Sequence, residues 1–562
     1  MRLRHLSVRH FRGIENLDWI VPDGPVCLVG PGDSCKTTIL EAIELVLFPR
    51  GWFQFFDTDF YVGVVGEPIV IEATVGDLPR SLTTQAKFGL QLRGWTHAGA
   101  LHDEPDDEDE PVLTVRMRVD AALEPAWQVV TDRDPEGRMI SARDRELLGA
   151  IRLGEDVERQ LSWARGSSLA RVTEDPEALG AALSEAHRTA RESLRAANLP
   201  DLTRVAELAG DAGVEYGAQL KRPLKVAIDP RSLNVGSAAL GLHQSDGVPV
   251  RAAGLGSRRL LALAIQKQAR STSVVALADE IEHGLEPHRL RHLLTKLRRD
   301  GLQVLMTSHS ETAVAELGVS CLGIVRASGN GSIEVKHPDV SLQDVIRKMP
   351  EAVLSRRVII CEGATEFGLS RGLVAAWDAV ASEPLACRGV VFVNGEGKDH
   401  AAQRAVSFKS LGYDCCFWAD SDQSTTPSVG ELRTAGVRVI QWADELCTEQ
   451  RLALDLPYQA FPELWTLAAE GRGSAASVSD QLANHIGHSG ARPPAWEGWA
   501  STYPEESLRT AFGTAAAKSG WYKRTTIGES LGALIANYVG HIPNSDLSTK
   551  LTELHDWCYD GN

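Results

Sequence analysis

The chain of 562 residues is 43% hydrophobic and 24% charged, with a formal net charge of −17. That length exceeds what one core supports, so three or more lobes of ordinary soluble globular composition are expected. The acidic balance excludes a general coat of positive potential for nucleic acid, though not a local basic groove.

The opening segment, MRLRHLSVRHFRG, is charged and lacks the apolar stretch of a secretory signal. No run approaches the roughly 18 apolar residues of a membrane span, so no membrane association is expected. Nine cysteines are scattered without a CxxC pair or zinc spacing, which fits a reducing cytoplasm. Cys415 and Cys416 are neighbours on a predicted strand, so they face opposite sides and do not pair with each other.

Residues 1–80 alternate like strands, with helical spacing beginning after Lys36. PVCLVG (25–30) reads as a buried strand running into a Gly-rich loop, and TTILEAIELVLF (37–48) has apolar residues at helical intervals. Between them, GPGDSCKT (30–37) fits a phosphate-binding loop at all but one position. Gly30, Gly32, Asp33, Ser34, Cys35, Lys36, Thr37 and Thr38 form the expected cradle for ATP. Backbone N–H groups and the helix N-terminus would face the phosphates, Lys36 would reach the β and γ oxygens, and Thr37 would hold Mg²⁺. Cys35 stands where the pattern has glycine. Its Cβ narrows the loop unless φ is negative, which favours binding over efficient hydrolysis.

PIVIEATV (68–75) and VLTVRMRVD (112–120) read as further strands, separated by DEPDDEDE (103–110), a run of seven acidic groups. That run is expected to be a solvated loop, with metal binding or DNA mimicry as the alternatives. From about 140 to 235 the pattern is helical and polar. ALGAALSEAHRTARESLRAANL (178–199) is Ala-rich with charges on one face, which suits either a dimer contact or an unpartnered helical subdomain.

Strand–helix alternation returns over 236–345. VVALADE (274–280) ends in Asp279, placed to fix the Mg²⁺ shell, and Glu280, placed to orient and deprotonate an attacking water. His309, in MTSHS, follows the next strand and is a candidate γ-phosphate sensor. GLGSRRLLALAI (254–265) has a Gly-Ser turn opening a helix, where Ser257 would cap the γ-phosphate of an opposite subunit.

A second βαβαβ set occupies 357–460. RVIICEGATEF delivers Glu362 at a strand end and Glu366 one helical turn later, and YDCCFWADSD delivers Asp420 and Asp422. Carboxylates at parallel-strand tips meet in the crevice where open α/β sheets bind ligands. Four such groups repel one another unless a hard cation such as Mg²⁺ or Mn²⁺ lies between them. Two ions roughly 3.5–4 Å apart would stabilise the attacking and leaving oxygens of a phosphodiester. The tail from 461 is Trp- and Ala-rich and helical.

LRHLSVRHFRGI, GPGDSCKT, GLGSRR, LADEIEHGLEPH and MTSHS together resemble the SMC/RecF-like branch of ATP-binding-cassette ATPases. In that branch Arg12 lies near the nucleotide. ICEGATE, VNGEGK and ADSD resemble a Toprim domain. The order of the two halves resembles the OLD (overcoming lysogenization defect) family of ATP-associated nucleases.

That resemblance implies an α/β fold. An ABC-type ATPase domain with a helical, dimerising insertion would be followed by a Rossmann-like Toprim domain and a helical C-terminal tail. The implied divisions are 1–140 and 236–345 for the ATPase, 141–235 for the insertion, 346–460 for Toprim, and 461–562 for a region completing the nuclease site. It also implies a metal set of Glu362, Glu366, Asp420 and Asp422, with Glu449 added from a later acidic helix. In GEGKD, Gly397 would permit close backbone approach and Lys398 would meet a phosphate. Lys523 would neutralise the pentavalent phosphate, with Arg524 the weaker candidate. Trp521 and Tyr522 beside it would either stack on a frayed base or be buried.

The implied activity is a DNA endonuclease of phage-defence type, regulated by its ATPase and acting as a dimer or higher oligomer. Some members of the family need a helicase or a reverse-transcribed DNA as partner. A topoisomerase would need a nucleophilic Tyr in a dedicated domain, and a primase a nucleotide-addition scaffold; neither is identifiable. The rival class is a nucleotide-gated sensor or assembly protein whose Toprim pocket binds without cutting and whose partner performs the effector chemistry.

Overall fold

The structure is a computed structural model that describes residues 1–49, 53–154, 156–163, 167–173, 242–268, 275–328 and 331–560, with isolated positions between 182 and 207. Most of the expected helical stretch 178–199 and of 200–235 lies outside the described residues.

Strands β1 (Arg2–Phe11) and β2 (Ile14–Ile20) form an antiparallel pair. β3 (Val26–Val29) leads into helix α1 (Lys36–Leu47). β4 (Ile69–Gly76) pairs with β1, and β5 (Glu110–Val119) pairs with β4, both antiparallel. After α2 (Leu255–Gln268) come β6 (Val275–Ala278), α3 (Pro287–Arg299), β7 (Gln303–Thr307) and β8 (Leu322–Ala327). Four strands of the nucleotide half run parallel in the order β6–β7–β3–β8 within a large mixed sheet.

Every residue of β3, β6 and β7 is buried, as both-face coverage of parallel strands demands. Their C-terminal ends deliver Gly30, Asp279 and Thr307 to one edge of the sheet.

The second sheet is smaller and wholly parallel. It is built from β9 (Arg357–Cys361), α4 (Ala364–Asp378), β10 (Val390–Asn394), α5 (Lys398–Ser410), β11 (Asp414–Ala419) and β12 (Arg438–Gln441). Its strand order is β10–β9–β11–β12. Cys361 pairs with Trp418, so the residues after the two central strands emerge side by side. Cys415 packs toward the nucleotide half and Cys416 toward the C-terminal helices, and both are free thiols, as their alternation requires.

The two sheets share one apolar core, in which Val29 and Ile324 join Val358, Ile360 and Phe417. Tyr413 pins this junction. Its hydroxyl donates to Val353 O at 2.7 Å, and the Arg326 guanidinium lies 3.5 Å from its ring centroid.

The C-terminal helices α6 (Thr448–Asp455), α7 (Glu505–Ser519), α8 (Thr525–Tyr538) and α9 (Asp546–Tyr559) cover the other face. Their core is aromatic: Phe461 stacks on Trp496 with centroids 4.9 Å apart, and Phe512 meets Trp521 edge-on at 5.0 Å. α8 lies tightly against α4 because glycines face each other across the contact. A Cβ built at Gly372 would strike Glu529 O and lie 2.6 Å from Ala533 N.

The acidic run 103–110 is exposed over 104–108, as a solvated loop would be, while Asp103 and Asp109 are held by backbone donors. Asp103 accepts from the N–H groups of Asp132 (2.7 Å) and Arg133 (3.2 Å), and Asp109 accepts from Asp106 N (3.1 Å). Backbone donors here replace water as partners for part of the charge. Among the described residues, no helix is long and apolar enough to cross a membrane.

Candidate nucleotide and metal sites

The nucleotide site begins at Gly30, whose φ is +150°; a Cβ there would lie 2.6 Å from Val325 O. Only glycine permits that approach. The loop then turns through Asp33 (φ 60°) and Cys35 (φ 64°). Cys35 thus does not take a negative φ. It holds the left-handed conformation that a glycine adopts freely and that costs an L-residue about 1–2 kcal/mol. The start of α1 imposes this backbone path, and the side chain follows. No side chain caps the N-terminus of α1, so its first N–H groups face the loop as anion donors.

Lys36 curls into its own loop, donating to Gly30 O (3.2 Å), Pro31 O (2.7 Å) and Ser34 Oγ (3.1 Å). Burial lowers its pKa. Gly32 and Thr37 are exposed and Thr38 is half-buried. Thr37 Oγ1 donates to Asp279 Oδ1 at 3.2 Å, which brings together the two residues expected to share the Mg²⁺ shell. Glu280 follows with φ 45° and an exposed side chain. Arg12 lies outside the loop, paired with Glu41 and with Asp59 (2.9 Å). Ser257 Oγ accepts from Arg289 at 3.0 Å. The His309 side chain is exposed, while its N–H donates to Glu282 at 2.7 Å.

Four residues here have no counterpart in the sequence reading. Thr307 donates to Asp279 Oδ1 at 2.5 Å and accepts from Glu280 N at 2.9 Å. Arg259 donates to the carbonyls of Asp279, Glu280 and His283. Arg152 lies 3.6 Å from Asp279, and Glu282 holds both Ser308 and His309 N. Thr307, Arg259 and Glu282 lie inside the motifs MTSHS, GLGSRR and LADEIEHGLEPH, but nothing in the sequence marks which atoms they would hold.

The second site is a cup at the C-terminal edge of the smaller sheet. Glu362 follows β9, and its Oε2 accepts from Asp420 N at 3.0 Å. Lys398, at the start of α5, lies 3.2 Å from Asp422 and 3.9 Å from Glu362. It therefore balances the rim carboxylates.

Deeper in, Glu366, Asp420 and Glu449 are all buried. Glu366 caps its own helix by accepting from Gly363 N at 3.1 Å. Asp420 Oδ1 accepts from both Thr448 N (2.8 Å) and Thr448 Oγ1 (2.7 Å), which docks the start of α6 on the end of β11. Trp442 Nε1 donates to the same hydroxyl at 2.8 Å. Glu449 follows Thr448 in the first turn of α6, and its buried Oε1 accepts no hydrogen bond from the described residues.

Lys523 is exposed, and its charge opposes the upward shift of Glu449. Arg524 is exposed as well. Trp521 and Tyr522 are fully buried, bonded to Gln481 (2.6 Å) and Leu464 O (2.9 Å). They anchor the segment and have no face free for a base.

Burial raises the carboxyls of Glu362, Glu366, Asp420 and Glu449, and their charges reinforce one another. Asp420 is pushed up to about 9, by burial first and then by Glu366, Glu362 and Glu449. Glu366 rises to about 7, by burial and then by Glu449 and Glu362. Glu362 and Glu449 also rise, with burial the main cause. Oxygen donors that must otherwise take up protons suit a hard divalent cation, and the unpartnered Glu449 Oε1 fits the same ion.

These pKa values lie above those of the unfolded chain, so the ion-free native state holds protons that the unfolded state has released. Stability is greatest below the unfolded values and falls as pH rises through about 7 and 9. Mg²⁺ replaces those protons, so the rise in thermal midpoint on adding Mg²⁺ should grow between pH ~6 and ~9. Asp420→Asn should flatten that trend; an unchanged pH slope in the variant would contradict the linkage.

Two family profiles match the chain. One, described as "AAA domain, putative AbiEii toxin, Type IV TA system", covers residues 140–315. The other, "Overcoming lysogenization defect protein-like, TOPRIM domain", covers 353–422 and so includes Glu362, Glu366, Asp420 and Asp422. No curated protein matches the chain significantly.

Among solved structures, the "SMC head domain from Thermotoga maritima" is 12% identical. It covers 60% of this chain and 100% of its own, with a TM-score of 0.31. An Smc head domain with an extended coiled coil, bound to the C-terminal domain of ScpA from Pyrococcus furiosus, is 14% identical over 62% of this chain and 98% of that one (TM-score 0.35). The recombination mediator protein RecF with ATPrS is 13% identical over 59% and 98% (TM-score 0.32). With a Gly-rich loop and strand-end acid in one half and a parallel sheet bearing strand-end carboxylates in the other, the chain joins an AAA-type ATPase domain to a Toprim domain like that of overcoming-lysogenization-defect proteins.

Proposed function

We propose that this protein is an ATP-binding, divalent-metal-dependent DNA endonuclease in which the ATPase half regulates phosphodiester cleavage by the Toprim half, and that it serves in anti-phage defence. The observation that supports this reading is the cup, where Glu362, Glu366, Asp420 and Glu449 gather at the strand ends of the smaller sheet and influence one another's protonation. Mg²⁺ or Mn²⁺, held by these carboxylates, would supply Lewis-acid stabilisation and a nucleophilic water at neutral pH.

The chain's own residues do the rest. Thr448 and Trp442 fix the orientation of Asp420. Lys398 keeps Glu362 and Asp422 from splaying apart. Lys523, exposed and near enough to act on the charge of Glu449, would offset charge on the phosphate in flight. In the nucleotide half, a bound phosphate would take over the contacts that Lys36 makes with its own loop.

The divisions 1–140 with 236–345, 141–235, 346–460 and 461–562 describe ATPase, insertion, nuclease core and completing region. DNA is the substrate, and head-to-head ATP sites would need at least a dimer. A helicase or other defence partner would supply the trigger. Arg326 offers a route between the halves. It lies on β8 beside the loop that holds Lys36, stacks on Tyr413, and donates to Ser355 O at 3.2 Å.

The test is plasmid cleavage by the purified chain across a matrix of metals and nucleotides. Nicking or linearisation with Mg²⁺ or Mn²⁺, altered by ATP, is expected. A second reading, a nucleotide-gated sensor acting through a partner, is favoured by the strained Cys35 in the phosphate loop. Metal binding with no cleavage in any cell of the matrix would select it.

A further inference from the structure

The floor of the cup contains a ligand type that a site for hard cations does not require. Cys447 is the residue before α6, with only 6% of its surface exposed. Its sulfur and one carboxylate oxygen each from Asp420 and Glu449 all lie within 4.8 Å of one another. Such a spread can close onto one ion with Zn–S near 2.3 Å and Zn–O near 2.0–2.2 Å.

A second observation is independent of this clustering. Glu449 Oε1 is buried and accepts no hydrogen bond from the described residues. A buried carboxylate oxygen without a donor is costly, and a cation on the floor would satisfy it. Backbone order favours the same arrangement. Thr448 N and Oγ1 hold Asp420, while Gln450 holds Cys447 N at 3.2 Å. The three donors are therefore set by the first turn of one helix and the end of one strand.

We propose that Cys447 is a metal ligand in its own right, and that Asp420, Cys447 and Glu449 form a mixed carboxylate–thiolate site for a thiophilic divalent ion such as Zn²⁺. This rests on the reading of the cup as a metal site. On binding, the S–H bond breaks, a sulfur–metal bond forms, and the proton leaves to solvent. Thiolate donors favour Zn²⁺ over Mg²⁺, whereas the rim pair Glu362 and Asp422 is all-oxygen. A zinc ion on the floor would thus compete with Mg²⁺ for Asp420 and Glu449 while leaving the rim oxygens to hard cations.

The experiment uses the full chain and Co²⁺ as a spectroscopic stand-in for Zn²⁺, with Mn²⁺ binding measured on the same preparation by calorimetry. The wild-type protein should show a thiolate-to-Co²⁺ charge-transfer band that Zn²⁺ abolishes. Cys447→Ser should lose the band and bind Zn²⁺ at least about tenfold more weakly, with a much smaller change for Mn²⁺. Zinc X-ray absorption of the wild type should show one sulfur at about 2.3 Å; this readout holds even where the variant misfolds. Mn²⁺ binding without a cobalt–thiolate band, or a band that persists in Cys447→Ser, overturns this inference alone. Absence of binding by every ion overturns the metal reading of the cup as well.

Discussion

Glu362→Gln should lower metal-dependent plasmid cleavage by more than about 100-fold, since altering even a supporting partner of a metal ligand costs 10–100-fold. The substitution is chosen for its geometry. Glu362 Oε2 accepts from Asp420 N, and a glutamine oxygen can keep that bond, so β9 and β11 stay joined while one negative charge leaves the rim. Glu362→Ala should abolish cleavage too, but it also strips the acceptor from Asp420 N–H. Both variants should bind ATP like the wild type, because Gly30, Lys36, Thr37 and Asp279 belong to the other sheet. Cutting by Glu362→Gln at the wild-type rate would remove the cup from the chemistry.

A substitution with no charge should do comparable harm from a distance. Gly372 lies on α4 where that helix meets α8, and a side chain there collides with the backbone of Glu529, Gly532 and Ala533. Backbone atoms cannot swing aside as a flexible side chain can, so α8 must move away. Gly372→Leu is expected to destabilise the C-terminal half by about 3 kcal/mol, seen as a lowered thermal midpoint. It should also weaken cleavage, because Lys523 sits in the short segment that enters α8 and would shift from Glu449. Gly540→Ala is the contrast. Nothing lies within 4 Å of a Cβ there, so its effect should stay within about 0.5 kcal/mol. Equal melting of the two variants would show that close helix contact does not position the mouth of the cup.

Much of this was legible in the chain itself. Apolar runs ending in Gly30, Asp279, Glu362 and Asp420 announced parallel strands, because continuous apolar runs of that length suit strands buried on both faces. The alternation that set Cys415 and Cys416 on opposite faces was equally readable. Thr448 and Cys447 were not. Each acquires meaning only because α6 docks on the end of β11, more than twenty residues upstream. Arg259 and Thr307 are similar: ordinary residues until the fold lays them against the carbonyls and carboxylate after β6.

Local pattern therefore determined which segments become strands and helices, and which side chains stand at their ends, since periodicity and turn chemistry act over a few residues. Tertiary structure decided how acidic the cup is, that Cys447 joins it, and that Cys35 takes a left-handed backbone. Burial, mutual repulsion of charges and the path of a loop between packed elements depend on neighbours that the chain order does not name.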